Sequence, residues 1–389
     1  MIHKQPTVCC IGLGTIGLPS ACFIANSGYR VCGVDSNLTL IAQLQQGKVP
    51  TDEPRVAEFF AKVFPRHLLL GTTPIAADVY LLTVPITLNK DHTPNTTQLF
   101  AAIETIMPLL KAGNLVIIES TCPVGTVRAI IDRITATVQG VLVAYCPERI
   151  MPGNIIDELA HNTRLVGTDD PETHRLATNF YRSFVRGEIV ACSIQEAEAV
   201  KLLENVYRDV NIAFANELSM AAGRHHLDPY RLIELANRHP RVNILQPGVG
   251  VGGACLRDNS WFLITTSPVS WPLTTAARKI NTAKTSWVIE QITTYMTTHN
   301  LRRMACFGAT YKANVADTRQ SPALEIIRKL QETYEVCIVD PYLPDAKNMQ
   351  EAILRTEVMI GLVPHDAFKR IPKQNYVGRH QLDFAGVFV

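Results

Sequence analysis

The amino-acid sequence predicts an α/β protein: two Rossmann-like, doubly wound domains joined by a long central helix and a helical dimerisation region. Three features carry that expectation. Strand-like apolar runs alternate with helix-length segments at both ends of the chain, the pattern of parallel βαβ units. A G-x-G-x-x-G triplet follows the first of these runs. Between the two ends, the stretch from Gln195 to Gly223 repeats apolar residues at helical spacing without proline or internal glycine.

The 389 residues exceed what one hydrophobic core usually serves, and the pattern divides them at 1–194, 195–297 and 298–389. With 47% apolar and 19% charged residues, the composition is that of an ordinary globular protein. A formal net charge of +2, with basic residues scattered rather than clustered, argues against nucleic acid or an anionic membrane as partner. No apolar run reaches the length of a membrane span, and "MIHKQPTVCCIGLG" leads directly into a strand, so a soluble, cytoplasmic chain is expected. The ten cysteines lie mostly in apolar runs such as "VCCIG" and "VCIVD" and form no CxxC pair. Reduced, buried thiols are therefore expected, and no zinc or other metal site.

In chain order, "TVCCIG" (7–12) reads as a buried strand, "GLGTIGLPSACFIANSG" as a glycine turn and helix, and "YRVCGVD" as the next strand. "VYLLTVP", "NLVIIES" and "LVAYCPE" continue the strands, with helical segments such as "TTQLFAAIETIMPLLKAG" between them. The long helix from Gln195 links two domains, and helical structure continues to about Thr297. Its apolar face suits either a homodimer surface or plain core packing. Near the end, "RRMACFGATYK" and "YEVCIVDPY" read as strands around the helix "SPALEIIRKLQE", a second βαβ-type unit.

Gly12, Gly14 and Gly17, with Ile16 closing the turn, sit where a dinucleotide would be held. The first glycine allows the tight turn, the second admits a pyrophosphate to the backbone amides, and the third brings helix and strand together. Asp35 ends the next strand, where a carboxylate accepts hydrogen bonds from a ribose diol. Asp35-Ser36 without neighbouring arginines favours NAD over NADP, because the acid repels a 2′-phosphate. The second α/β unit lacks the triplet; its Lys312 and Arg319 are either ligands of another phosphate, such as a nucleotide diphosphate, or solvated surface cations.

"GVGVGGACLRDNSWF" (248–262) packs four glycines ahead of Cys255, so the thiol is expected in a glycine-rich bend, and its use there is the question. Together with "IGLGTIGLP", "ESTCPVGT", "AYCPERIMPG", "KLLENVYRDVNIAFANELS", "LANRHPRVNILQPGVGVGGAC" and "YKANVADTRQSPA", it makes the chain resemble the UDP-glucose/GDP-mannose dehydrogenase family over essentially its full length. "RDVNIAFANELS" and "ANRHPRVNILQPG" favour the branch that acts on UDP-N-acetyl-D-mannosamine over the UDP-glucose branch. The resemblance implies two successive hydride transfers to NAD from C6 of a UDP-sugar, an N-terminal NAD domain, a central helix tied to dimerisation and a C-terminal UDP-binding domain. UDP-glucose or UDP-N-acetylglucosamine remain alternative substrates.

An aldehyde has no hydride to give until a nucleophile makes its carbon tetrahedral, and a cysteine does so as a thiohemiacetal that is oxidised to a thioester. By resemblance that nucleophile is Cys255. Lys201 and Asn205, four apart on one helical face, stabilise the oxyanions; unaided, the sequence reads Lys201 as a surface cation. Glu148 matches the base that activates water; its plainer reading is an acid paired with Arg149. Thr121 matches a residue beside cofactor and water, or is a turn hydroxyl. Arg241, Asn243, Gly250 and Lys312 match substrate contacts, and Arg319 a cofactor contact.

The chain departs from the family pattern at several places. The aspartate expected four residues after the cysteine is Asn259, and the following proline is Ser260. Asp258 is one residue early, and a one-residue shift turns a side chain away. Asparagine keeps a hydrogen bond but holds neither charge nor a transferable proton. Ala254 stands where histidine is usual, "VPTP" becomes "VPIT" at Val84–Thr87, and the region Thr135–Val141 is compact. These changes leave open a weakened relative that binds NAD and UDP-sugar with little turnover.

Overall fold

The structure, a computed structural model, describes residues 6–51, 53, 55–150, 153–372 and 378–388. Strand β1 (Thr7–Ile11) sends alternate side chains into two buried layers and so organises the first sheet. Val8 and Cys10 enter one apolar layer, Cys9 and Ile11 the other. A sheet covered on both faces needs near-continuous apolar strands, which is why these runs stand out in the sequence.

After β1 come α1 (Gly17–Asn26), β2 (Arg30–Val34), α2 (Leu38–Gln45), α3 (Val56–Val63), β3 (Leu68–Gly71) and β4 (Val79–Leu82). A small hairpin, β5 (Thr87–Leu88) and β6 (Pro94–Asn95), precedes α4 (Thr97–Ile106), β7 (Leu115–Ile118), α5 (Thr126–Thr135) and β8 (Leu142–Tyr145). Then follow α6 (Ile155–His161), β9 (Arg164–Gly167), α7 (Pro171–Arg182) and β10 (Ile189–Cys192). The strands form one sheet in the order β10-β9-β8-β7-β4-β1-β2-β3, parallel except where β8 meets β9. Residues of α1, α2, α3, α6 and α7 cover one face; α4, α5 and the start of the next helix cover the other. The doubly wound arrangement expected from the sequence is present.

The expected long helix is α8 (Ile194–Arg224), followed by α9 (Pro229–Ala236), α10 (Ala254–Thr266) and α11 (Pro272–Thr298). A second sheet, β12-β11-β13-β14, is wholly parallel and built from β11 (Arg303–Phe307), β12 (Glu335–Val339), β13 (Val358–Gly361) and β14 (His380–Asp383). Helices α11 and α12 (Pro322–Leu330) cover one face, and α13 (Met349–Arg355) with Phe368 and Ile371 covers the other. Ser321 caps α12 by accepting from the Leu324 N–H, with Pro322 at the first helical position. By contact the chain divides into Met1–Leu203 with Trp261–Ser267, and Glu204–Ser260 with Pro268–Val389.

Strands β3, β9, β10, β13 and β14 and the β5–β6 hairpin are not marked by the sequence pattern, whereas the equally short β4, β7 and β8 stand out as apolar runs. Among the described residues no helix is long and apolar enough to cross a membrane. The ten cysteines are all free, and seven of them are buried.

Candidate active site

In the first unit, Gly12, Gly14, Ile16 and Gly17 occupy the turn from β1 to α1. Gly12 has φ +92°, and its N–H donates to the Val34 carbonyl at 2.8 Å, tying the turn to β2. A Cβ on Gly17 would lie 1.9 Å from the Gly12 carbonyl oxygen, so only glycine lets α1 approach the strand. A Cβ on Gly14 would meet open space, which leaves the backbone there accessible to a ligand. Helix α1 starts at Ile16 with no side-chain cap and no acid in its first turn, leaving its positive end to an anion. Asp35 accepts from the N–H groups of Leu13 and Asn37, both at 2.8 Å. A carboxylate offers about four acceptor sites, so capacity for a ribose diol remains. These residues fit a dinucleotide.

At the ends of β7 and β8 in the same unit lies a buried ionic group that the sequence did not reveal. The Arg164 guanidinium stands between two carboxylates, 3.2 Å from Glu119 Oε1 and 2.5 Å from Glu148 Oε1. Its face covers the Tyr181 ring at 4.4 Å, and the Tyr181 hydroxyl donates to Glu119 at 2.7 Å. Burial and then repulsion from Glu148 push the Glu119 carboxyl up to about 8, although Arg164 and Tyr181 act against this. Glu148 therefore pairs with Arg164; Arg149 instead donates to the Thr163 carbonyl. Lys201, half-buried rather than exposed, donates from Nζ to the Glu148 carbonyl oxygen. Lys201 and Glu148 are thus brought together.

Thr121 is half-buried in the loop between β7 and α5. Glu198 of α8 caps α5 from outside, accepting from Gly125 N–H at 2.7 Å and Val127 N–H at 2.8 Å. Tyr145 accepts from the Cys122 N–H at 3.2 Å, fixing the residue next to Thr121. After Val84–Thr87 the chain enters the β5–β6 hairpin, whose His92 stacks on Trp261 at 4.3 Å.

In the second unit the glycine-rich segment has a packing explanation. A Cβ on Gly250 (φ +138°) would lie 2.4 Å from Thr285 Oγ1, one on Gly252 2.7 Å from Pro322, and one on Gly253 2.9 Å from the Tyr311 ring. The segment is therefore pressed against the loop that carries Lys312 and Arg319. Cys255 is not held inside that bend. It is the second residue of α10, and it is exposed. The first-turn N–H groups of a helix have no intrahelical partner and so can serve an oxyanion forming beside the thiol. Arg319 is exposed and paired with Asp317 at 2.7 Å. That bond holds its guanidinium proton more firmly than usual, and the Cys255 thiol contributes to the same shift.

Asn205 and Asn259 are buried. Asp258 is also buried, 3.3 Å from Arg257, and burial raises its carboxyl. Ser260 donates to Asp209 at 2.9 Å. Asp209 also accepts from Arg278 and Asn281, each at 2.7 Å, in a buried network that the sequence did not disclose. Arg241 and Asn243 lie exposed on the loop after α9, and Lys312 is exposed. The side chain of Ala254 lies outside the described residues.

Three sequence profiles of one family match the chain: the NAD binding domain over residues 6–185, the central domain over 195–283 and the UDP binding domain over 305–384. The chain belongs to the UDP-glucose/GDP-mannose dehydrogenase family. Its cofactor is NAD, and the glycine turn and Asp35 lie in the family's NAD binding domain. A UDP-N-acetyl-D-mannosamine dehydrogenase of Methanocaldococcus jannaschii is 38% identical over 95% of this chain and 88% of its own. An NDP-N-acetyl-D-galactosaminuronic acid dehydrogenase of Ralstonia nicotianae is 37% identical over 98% and 96%. Among solved structures, the UDP-D-ManNAc dehydrogenase of Pyrococcus horikoshii superposes with a TM-score of 0.91 at 32% identity, covering 98% of this chain and 96% of that one.

Proposed function

We propose that this chain oxidises the C6 alcohol of UDP-N-acetyl-D-mannosamine to the carboxylate, giving UDP-N-acetyl-D-mannosaminuronate. The observation that carries the reading is the exposed thiol of Cys255 at the head of a helix, following a glycine segment pressed against a loop of the family's UDP binding domain, in a chain whose first unit holds a dinucleotide cradle. Bound NAD supplies a hydride acceptor for each of two oxidations. Loss of hydride and the hydroxyl proton turns the alcohol into an aldehyde. The Cys255 sulfur then bonds to the aldehyde carbon, restoring a tetrahedral C–H that can be oxidised in turn. The resulting thioester is hydrolysed: water adds, the C–S bond breaks, and carboxylate and thiol are released.

Glu148 takes the proton from that water, Lys201 and Asn205 stabilise the oxyanions, and Thr121 lies beside cofactor and water. The Lys201–Glu148 carbonyl bond supports a shared task for these two residues. Arg241, Asn243, Gly250 and Lys312 hold the UDP-sugar, and Arg319 contacts the cofactor. The functional form is a homodimer; the exposed Tyr207 and Phe214, two turns apart on α8, support this.

Purified protein, UDP-N-acetylmannosamine and NAD⁺ form the decisive assay, with NADH followed by absorbance. Two NADH per sugar are expected, and Cys255→Ser abolishes acid formation. Continued acid production by that variant would remove the covalent scheme. The Ralstonia relative supports a second reading, another UDP-N-acetylhexosamine as substrate, which the same assay separates by kcat/KM. Asn259 supports a third, binding with little turnover, which predicts tight sugar binding without NADH.

A further inference from the structure

His365 is wholly buried in the second unit and plays no part in the chemistry above. Its Nδ1 lies 3.0 Å from the Asn314 backbone nitrogen, which can only donate, so Nδ1 accepts. The proton of the neutral ring is then on Nε2, which faces Asp340 Oδ2 at 3.1 Å and Thr310 Oγ1 at 3.2 Å. Burial opposes ionisation of Asp340. The bonds from His365 and from the N–H groups of Ala309 and Tyr342 outweigh it and hold the carboxyl below its usual range. Asp340 therefore stays an acceptor. The Thr310 hydroxyl is left to donate to the carbonyl of Lys312 at 3.0 Å.

Most bonds of this group end on the loop from Gly308 to Ser321, at Ala309, Thr310, Lys312 and Asn314. Ala309 and Thr310 N–H donate to Asp340 at 2.7 and 3.2 Å. Asn314, held at φ +62°, is gripped again by Asp366 through two bonds. The same loop presents Tyr311 to Gly252 and Gly253, immediately before Cys255.

We propose that His365 and Asp340 are positioning residues that lock this loop, and with it Lys312, in the shape that receives the diphosphate of the UDP-sugar. The inference rests on the assignment of Lys312 as a substrate contact, and its test separates the two. UDP binding is measured by calorimetry on the full chain for wild type, His365→Leu, His365→Gln, Thr310→Val and Lys312→Met, alongside kcat and KM for the sugar nucleotide.

Loss of a buried bond to a charged group has a scale of about tenfold or more. His365→Leu should weaken UDP binding and raise the sugar-nucleotide KM by about that factor. His365→Gln keeps a donor for Asp340 and an acceptor for Asn314, and should remain within about threefold of wild type, because both bonds survive. A purely structural role lowers the active fraction, and so the apparent kcat, without moving Kd or KM. Thr310→Val, milder in volume, should still weaken UDP binding if His365→Leu does not fold. Unchanged UDP affinity in the folded His365→Leu or Thr310→Val protein, with Lys312→Met weakened, overturns the lock and leaves Lys312 in place. Unchanged affinity in Lys312→Met removes the substrate assignment and, with it, the proposal in this form.

Discussion

Asn259 stands where the resemblance leads one to expect an aspartate, and the structure buries the residue. An aspartate there would place a proton-accepting group beside the nucleophile's helix turn, at the cost of desolvating a carboxylate. Asn259→Asp is therefore expected to raise kcat and lower the thermal midpoint together. An unchanged or lower kcat in the folded variant would show that the site has adapted to asparagine. Residues differ sharply in how far the sequence exposes them. Gly12, Gly14, Gly17 and Asp35 are legible because their work is local backbone geometry within one βαβ unit. Glu119, Arg164, Glu198 and His365 are not, because their partners come from elements far away in the chain. An arginine before a short apolar run looks like a surface cation until β9 is found in the sheet interior, where Arg164 faces two carboxylates.

Long regular helices and strands that form apolar runs are readable in the sequence, and elements without either signature are not. Helix α8 covers Ile194–Arg224, against the expected Gln195–Gly223, because many turns repeat one periodicity. The segment at 248–255 shows the opposite. Four glycines suggest an extended bend containing the thiol, yet the bend ends at Gly253 and α10 begins at once. Gly250, Gly252 and Gly253 answer to residues far downstream, Thr285, Pro322 and Tyr311, which no local pattern discloses. Helix α8 also leaves Tyr207 and Phe214 74% and 54% exposed, a large apolar area for a face with no further role. If a second copy covers it, Tyr207→Asp combined with Phe214→Asp should yield monomers by analytical ultracentrifugation while the helical circular dichroism is retained. A double variant that sediments like wild type would rule out this face.

Across the whole molecule, the two units bury ionisable groups of opposite sign, and stability should follow pH oppositely in each. In the first unit, Glu119 is pushed up to about 8 by burial, then by Glu148. Between its ordinary value of 4.5 and about 8, the folded chain holds a proton that the unfolded chain has lost. Stability from this group is complete at the acid end of that window and declines as pH rises. In the second unit, burial alone brings Lys284 down from 10.5 to about 7, with the Ser219 hydroxyl at 2.7 Å and the Trp287 ring beside its ammonium. Here the unfolded chain holds the extra proton, so stability rises with pH from about 7 to 10.5. Neutral replacements isolate each contribution. The gain in thermal midpoint from Glu119→Gln over wild type should be small at pH 5 and grow through pH 8. The gain from Lys284→Met should be greatest below pH 7 and shrink towards pH 10. Melting curves across this range, with Trp287 fluorescence reporting the second unit, test both. If either difference stays constant with pH, that group titrates alike in folded and unfolded chains, and its burial in this fold has no ionic consequence.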